Sequence, residues 1–427
     1  MRVYYSLYGH LLHKERLYNG FKKVWKAKGA AGIDRQSLSD FAQNLSNNLD
    51  QLLLELKTKR YMPQAVRRVE IPKEGGGVRL LGIPTVRDRV VQQTLNDLLT
   101  PIFEEQFHPS SFGYRPNRSC HDAINKATMF IRRYQMKHVV DMDLSKCFDK
   151  LDHALILRGV RNRVTDSSVL GLLKQFLNSG VMVDGQWQHT DIGSPQGGVI
   201  SPLIANIYLD EFDQEMRKRG HRIVRYADDI LIFCRSRAGA ENAQAQATKI
   251  LEQQLKLTVN ESKSHIAHSD EGVKFLGVEI GSRFSRIQSK KLCMFKKKVK
   301  QMTKRNGGRP LTEVIKQLNP LLRGFGQYFR IANANREFKR LSAWIRRRLR
   351  SVQLRLWKKA GRLHRRLRQL GYKGVFQFIR MSNWRNSASP LANYSMPNQW
   401  FNDLGLVNLG NVATGYVFSH YAEWKCA

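Results

Sequence analysis

Two neighbouring aspartates between two apolar runs are the residues of this chain best suited to chemistry. Asp228 and Asp229 stand in RIVRYADDILIFC, residues 222–234, whose apolar halves predict two strands joined by a tight turn. Like charges held this close repel each other, so two carboxylates beside a core strand indicate a bound cation that neutralises them. An ordinary acidic turn is the alternative for any Asp-Asp pair taken alone.

A second acidic strand, HVVDMDL at 138–144, strengthens the metal interpretation. Alternation places Asp141 and Asp143 on one face, with Asp143 at the end of the strand. A polymerase needs carboxylates from two strands to hold two Mg²⁺ ions about 4 Å apart, one activating the primer 3′-hydroxyl and one bracing the triphosphate. Asp143, Asp228 and Asp229 fit that requirement, with Mn²⁺ as a substitute for Mg²⁺.

The composition favours a polyanionic partner. The 427 residues include 72 Lys and Arg against 35 Asp and Glu, a formal net charge of +37, which is more than solubility requires. The sequence has no apolar run of spanning length and no secretory signal pattern, so we expect nucleic acid rather than a membrane as the partner. We also expect a cytoplasmic, nucleoid-associated protein whose five cysteines are reduced.

The chain divides by composition into four segments. Residues 1–60 carry apolar residues at helical spacing and predict a helical extension. Residues 61–282 mix helices with short apolar strands, a pattern that predicts an α+β fold. Residues 283–375 form a basic helical module, and residues 376–427 form a small appendage.

The basic module is unusually one-sided in charge. Residues 283–373 contain 29 Lys or Arg against two glutamates, a balance of +27. The stretch 338–370 keeps apolar residues near helical spacing, which lets one stripe pack while arginines face elsewhere. A solvated face usually mixes both signs, so we predict contacts with nucleic-acid phosphates instead. The candidate contact residues, which the family resemblance described below assigns to RNA, are Arg346, Arg347, Arg348, Arg350, Arg365 and Arg366.

The Y-A-D-D box at 226–229 and the first acidic strand resemble those of reverse transcriptases, specifically those encoded by group II introns. The resemblance covers about residues 20–375. It implies a right-hand polymerase with fingers and palm, a helical N-terminal extension, a basic helical thumb also called the maturase domain, and a C-terminal DNA-binding-like region. It also implies that the three aspartates named above bind metal, with the Leu144 carbonyl as a further ligand.

The same resemblance implies a deoxynucleotide pocket. Phe148 is expected to be a steric gate that excludes a ribose 2′-hydroxyl. Lys73 and Arg79, predicted to face each other across a glycine-tipped hairpin, suit a triphosphate, Lys as a point charge and Arg as a fork. A salt-bridged surface hairpin is the alternative. Gln196 is expected to line the pocket, and Lys263 is the candidate general acid, with a plain surface lysine as its alternative.

These features predict an RNA-directed DNA polymerase encoded by a group II intron, which also assists splicing and mobility of its intron. Expected partners are structured intron RNA, an RNA template with a DNA primer, a DNA target and deoxynucleoside triphosphates. Many such proteins end in a nuclease with paired Cys and His; the sequence has no such pairs, so we expect the compact bacterial type. The alternatives are a host-adopted reverse transcriptase in DNA repair or phage defence, and a non-catalytic RNA-binding maturase. Phe148 disfavours an RNA-dependent RNA polymerase.

Overall fold

The structure, a computed structural model, describes residues 2–72, 77–183, 186–188, 193, 197–374 and 385–415. The chain forms two units, Met1–His268 and Ser269–Ala427. In the described ranges, no helix has the length and apolar character needed to cross a membrane.

Helices alternate with short strands in the first unit, which confirms the predicted α+β class. Its helices are α1 (Lys14–Ala27), α2 (Leu38–Gln43), α3 (Leu45–Lys57), α4 (Val86–Glu104), α5 (Cys120–Arg132), α6 (His153–Arg161), α7 (Ser167–Leu177), α8 (Ser201–Lys218) and α9 (Arg237–Lys249). Its strands are β1 (Val66–Pro72), β2 (Val78–Ile83), β3 (His138–Met142), β4 (Val181–Val183), β5 (Gln186–Gln188), β6 (Arg222–Tyr226), β7 (Asp229–Cys234) and β8 (His265–His268).

The central sheet of this unit has the strand order β6-β7-β3-β8, and its pairs are antiparallel. Consecutive residues of β7 from Ile230 to Phe233 are buried. A strand with one solvated face would alternate buried and exposed positions, so this sheet is covered on both faces. Helices α5, α8 and α9 pack against it. The apolar runs on either side of the acidic pair are therefore core strands.

A second sheet carries the glycine-tipped hairpin. Its order is β2-β1-β4-β5, with β1 and β2 antiparallel and β1 parallel to β4. The register pairs Arg79 with Ile71, so the residue directly opposite Arg79 is apolar. Lys73, its predicted opposite, lies outside the described residues.

A buried ion pair joins α8 to β6. The side chain of Arg225 is completely buried, as is that of Asp213. Arg225 Nε donates to both carboxylate oxygens of Asp213 at 2.9 Å, and Nη2 donates to Oδ2 at 2.6 Å. Moving charges out of water costs several kcal/mol each, so such a pair persists only when its hydrogen bonds are satisfied. Here the fork geometry satisfies them and fixes the helix to the strand.

The second unit combines a small sheet with basic helices. Its strands are β9 (Val273–Phe275), β10 (Val278–Ile280) and β11 (Ser285–Ile287), in the order β11-β10-β9. Its helices are α10 (Ser289–Met302), α11 (Leu311–Phe329), α12 (Asn335–Leu356), α13 (Ala360–Gln369), α14 (Pro390–Ser395) and α15 (Asn398–Asp403).

The helix α12 is amphipathic, as its apolar spacing predicts. The apolar residues that it buries are Phe338, Leu341, Ile345, Leu349, Val352 and Leu354. The stretch 338–370 nevertheless forms two helices, because residues 357–359 between Leu356 and Ala360 are not helical. Lys358 in this break has a φ of 59°, and a left-handed residue ends a helix.

We predict that Asp213→Asn lowers the free energy of unfolding of the first unit by about 3–5 kcal/mol, because it leaves a buried guanidinium without its counter-charge. Glu211→Gln is the matched control on the same helix. Glu211 pairs with Arg158 at 2.7 Å, but the two side chains are 45% and 53% exposed, and such pairs contribute about 1 kcal/mol or less. Urea unfolding of both variants measures the difference. Equal losses would contradict the structural role given to the buried pair.

Candidate active site

The adjacent aspartates lie where β6 and β7 meet. Tyr226 pairs with Asp229, so Ala227 and Asp228 form a two-residue turn, and the predicted acidic hairpin is confirmed. Ala227 has a φ of 58°, a left-handed conformation that costs roughly 1–3 kcal/mol for a residue other than glycine. The surrounding structure must therefore hold the turn in place.

Two neighbours hold it. Arg225 Nη1 donates to the Ala227 carbonyl at 3.0 Å and to Asn206 Oδ1 at 3.0 Å. The other side of the turn is backed by Gly113, where a Cβ would lie 2.3 Å from the Ala227 nitrogen. Asn206 Nδ2 donates to the Gly113 carbonyl at 2.8 Å. The same buried network therefore fixes the turn and the segment behind it.

The third aspartate, Asp143, directly follows β3 and is held by residues 260–264. Its backbone nitrogen donates to Ser264 Oγ at 3.1 Å, and its carbonyl accepts from the Asn260 nitrogen at 2.8 Å. Its Oδ2 accepts from Asn260 Nδ2 at 3.1 Å and from Lys263 Nζ at 3.0 Å. Lys263, the predicted general acid, thus lies against a predicted metal ligand.

The sheet register brings the three aspartates to one end of the central sheet. Met142 lies opposite Ile230, so Asp143 follows on the side where Asp229 begins β7. Burial and the negative charge of Asp143 raise the pKa of Asp228. Partial removal from water and the charge of Asp228, followed by those of Asp141 and Asp143, raise the pKa of Asp229 to about 7. The carboxylates repel one another, which is the situation that a bound cation relieves.

The donor atoms suit a hard divalent cation, although their arrangement is not that of a closed metal site. In the part of the chain that the structure describes, no three His, Cys, Asp or Glu side chains are grouped closely enough to hold a metal ion. The carboxylate of Asp143 forms an ion pair with Lys263. Leu144, the predicted carbonyl ligand, is buried and forms an isolated bridge with Val259. All the candidate ligands are oxygens, the donors that Mg²⁺ prefers.

Phe148 and Tyr114 form an aromatic pair beside the turn. Phe148 lies in the 3₁₀ helix Cys147–Lys150, half-buried against the core. Its ring meets the Tyr114 ring edge-on, with centroids 6.2 Å apart and an interplanar angle of 74°. Burial and the charge of Asp228 raise the pKa of Tyr114, whereas Arg79 lowers it. Tyr114 is therefore within electrostatic range of both the acidic turn and the predicted phosphate-binding arginine.

The loop that contains Gln196 is described only in part. Gln196 itself lies outside the described residues. Gly193 and Gly197, on either side of it, have φ values of 97° and 117°, which only glycine adopts readily. A Cβ on Gly197 would lie 2.4 Å from the carbonyl oxygen of Gly82 in β2. Close approach to the hairpin therefore requires glycine at this position.

The predicted RNA-binding arginines occupy different environments. Arg347 and Arg365 are exposed, whereas Arg346, Arg348 and Arg366 are half-buried. Arg348 Nε donates to Thr303 Oγ1 at 2.7 Å, and Arg366 Nε donates to the Ser395 carbonyl at 3.4 Å.

The assignment of Arg350 as an RNA contact is corrected. Arg350 is buried, its Nε donates to the Met396 carbonyl at 3.0 Å, and its Nη2 donates to Asn398 Oδ1 at 3.2 Å. Its guanidinium also lies over the Phe401 ring, with Cζ 5.3 Å from the ring centroid. Arg350 therefore holds α12 to the segment around α14 and α15. Its guanidinium is occupied by these intramolecular contacts.

The residues that position the turn were not identified from the sequence. One indication was the position of Arg225 within an apolar strand, because a charged residue in a core strand needs a buried partner. That partner, Asp213, comes from a helix whose packing the sequence pattern does not specify. Tyr114, Asn206 and Asn260 gave no comparable signal.

Two family models match this chain. Residues 71–280 match the family model for reverse transcriptase (RNA-dependent DNA polymerase), and residues 292–371 match the model for the group II intron maturase-specific domain. Protein YkfC of Escherichia coli is 34% identical over 299 residues, which cover 61% of this chain and 78% of that protein.

Group II intron-encoded protein LtrA of Lactococcus lactis is 28% identical over 349 residues, which cover 66% of this chain and 58% of that protein. The chain thus spans less than two thirds of LtrA. Among solved structures, an apo telomerase from Candida tropicalis has a TM-score of 0.42 and 13% identity, over 61% of this chain and 63% of that chain. The three aspartates lie in the first matched range and the basic helices α12 and α13 in the second. The chain therefore belongs to the reverse transcriptase family, among the members that carry a group II intron maturase-specific domain.

Proposed function

We propose that this chain is an RNA-directed DNA polymerase encoded by a group II intron, which copies RNA into cDNA and assists the splicing and mobility of that intron. The observation that carries the proposal is the acidic turn Ala227–Asp228, held at the end of a buried sheet beside Asp143 and Asp229. The maturase-specific match at 292–371 supports the second activity in the same chain.

The three aspartates are the proposed metal ligands. Reverse transcriptases as a family use divalent metal ions, and we propose that Asp143, Asp228 and Asp229, with the Leu144 carbonyl, hold two Mg²⁺ ions, which Mn²⁺ can replace. Bound there, such ions supply Lewis-acid activation of the primer 3′-hydroxyl and neutralise charge on the triphosphate. The protein supplies the fixed spacing of the carboxylates, because the turn and the end of β3 are both hydrogen-bonded in place.

Lys263 is the proposed general acid. Its ammonium group contacts Asp143 Oδ2, and its side chain is 65% exposed. Asp143 Oδ2 would be shared between a bound cation and this ammonium group, so metal binding would weaken the contact to Lys263. In the reaction the primer 3′-hydroxyl would lose its proton to solvent water as its oxygen forms a bond to the α-phosphorus, and the bond from that phosphorus to the pyrophosphate oxygen would break. We propose that Lys263 gives its proton to that leaving oxygen.

The deoxynucleotide pocket is proposed to lie between the hairpin and the aromatic pair. Arg79 would bind the triphosphate together with Lys73, and Gln196 would line the pocket from its glycine-flanked loop. Phe148 would lie under the sugar and exclude a 2′-hydroxyl. Its half-buried ring, held against the core and against Tyr114, suits a rigid steric wall.

The basic helices of the second unit are the proposed RNA-binding surface. Exposed Arg347 and Arg365, with half-buried Arg346, Arg348 and Arg366, are candidates for phosphate contacts. The proposed partners are structured intron RNA, an RNA template with a DNA primer, a DNA target and deoxynucleoside triphosphates.

We predict that Asp228→Asn separates the two activities. Removing one carboxylate charge from the metal site should cost several kcal/mol of transition-state stabilisation, so cDNA synthesis should fall by roughly a hundredfold or more. Splicing is chemistry of the intron RNA, to which the protein contributes binding energy, so assistance to splicing should persist. The assay measures primer extension on an RNA template and splicing of the flanking intron at matched protein concentration.

Asp97→Asn is the control for this experiment, since Asp97 forms a surface pair with Lys23. It should leave both activities unchanged. Retention of polymerisation in Asp228→Asn would overturn the catalytic assignment. Loss of both activities in the folded variant would mean that the turn also organises the RNA-binding surface.

A second prediction concerns sugar selection. Phe148→Val should let ribonucleotides be incorporated more readily, because it removes the ring that is proposed to collide with a 2′-hydroxyl. Deoxynucleotide use should fall modestly. The control is Phe176→Val, which also deletes a core aromatic ring but lies on α7. Competing deoxy- and ribonucleotides in single-nucleotide extension measure selectivity, and a Phe148→Val variant as selective as the parent shows that the gate assignment is wrong.

A further inference from the structure

We propose that Tyr114 is a positioning residue for Phe148 and thereby sets how strictly ribonucleotides are excluded. This inference rests on the proposed function, in which Phe148 is the sugar gate. It adds a residue from a different segment of the chain, the loop before α5, to the determinants of sugar choice.

The backbone on both sides of Tyr114 is fixed. On one side, the Phe112 nitrogen donates to the Arg225 carbonyl at 2.9 Å, and Gly113 lies directly against the acidic turn. On the other side, Arg115 is buried; its Nε donates to both carboxylate oxygens of Glu104 at 3.1 and 2.9 Å. Tyr114 therefore cannot move as part of a loose loop.

The conformation of Tyr114 is costly. Its φ is 60°, in the left-handed region that bulky side chains rarely adopt and that asparagine and glycine tolerate. Such residues persist only where the surroundings determine them, and they concentrate at functional sites. Here the left-handed residue carries an aromatic ring that contacts Phe148.

The ring is placed to restrain Phe148 without filling the core. Tyr114 is 56% exposed, whereas Phe148 is half-buried, and their edge-on contact has the geometry that aromatic pairs prefer. A pair of this kind contributes a factor of roughly 2 to 10 in an equilibrium beyond area burial. Loss of the Tyr114 ring therefore lets the Phe148 ring leave its orientation in a fraction of molecules.

Under the proposed function this contact lies beside the incoming nucleotide, whose phosphates would bind Arg79 and whose sugar would lie against Phe148. Burial and the charge of Asp228 raise the pKa of the Tyr114 hydroxyl, and the charge of Arg79 lowers it. A gate whose ring can tilt admits a 2′-hydroxyl more often.

The test compares Tyr114→Phe, which keeps the ring, with Tyr114→Asn, which tolerates the left-handed backbone but removes the ring. Single-nucleotide extension gives kcat and KM for matching deoxy- and ribonucleotides. Tyr114→Phe should keep the parent's selectivity within about twofold, and Tyr114→Asn should lower it roughly 2- to 10-fold. The control is Tyr18→Asn, a partly exposed tyrosine on α1, which should leave selectivity unchanged.

A double-mutant cycle shows whether Tyr114 acts through Phe148. In the Phe148→Val background there is no ring to restrain, so Tyr114→Asn should change selectivity no further. Unchanged selectivity in Tyr114→Asn alone, or the same loss in both backgrounds, overturns the proposal. Failure of the parent protein to extend a primer with deoxynucleotides would instead overturn the proposed function, and with it the basis of this inference.

Discussion

The buried guanidinium of Arg225 is the interaction on which the position of the acidic turn depends. It binds Asp213 on α8, Asn206 on the same helix and the Ala227 carbonyl of the turn itself. A buried charge that lost one of these partners would be left unpaired in a medium where that is costly. Helix, strand and turn therefore keep one arrangement. The same network holds Ala227 in its left-handed conformation, which is costly for a residue other than glycine.

This arrangement also accounts for the electrostatic repulsion between the carboxylates of the site. The register of β3 against β7 brings Asp143 to the end of the sheet where Asp228 and Asp229 stand, and the charges repel one another. Asp143 is restrained by Asn260 and Lys263 on its carboxylate. A rigid group of carboxylates whose repulsion is only partly relieved by one lysine is suited to take up divalent cations together with a triphosphate.

Local patterns in the sequence were sufficient for much of the fold and the site. Apolar alternation and the tight spacing around Asp228 predicted the hairpin, and helical spacing predicted the buried stripe of α12, because both depend on the period of one element. The count of basic residues did not predict the structural role of Arg350, since composition does not distinguish a buried, hydrogen-bonded arginine from one that faces solvent. The pairing of Arg225 with Asp213 depends on tertiary packing and could not be read from either segment alone. The break at Lys358 likewise follows from a single left-handed residue rather than from periodicity.

Counting bound Mn²⁺ by electron paramagnetic resonance tests the central claim most directly. The parent protein, with a chain-terminated primer on an RNA template and a matching deoxynucleotide, should bind a pair of Mn²⁺ ions at the carboxylates. Asp143→Asn and Asp228→Asn should each bind fewer ions at the same free Mn²⁺ concentration, whereas the surface variant Asp97→Asn should match the parent. Equal Mn²⁺ binding by the parent and both site variants would contradict the assignment of these aspartates as the metal site.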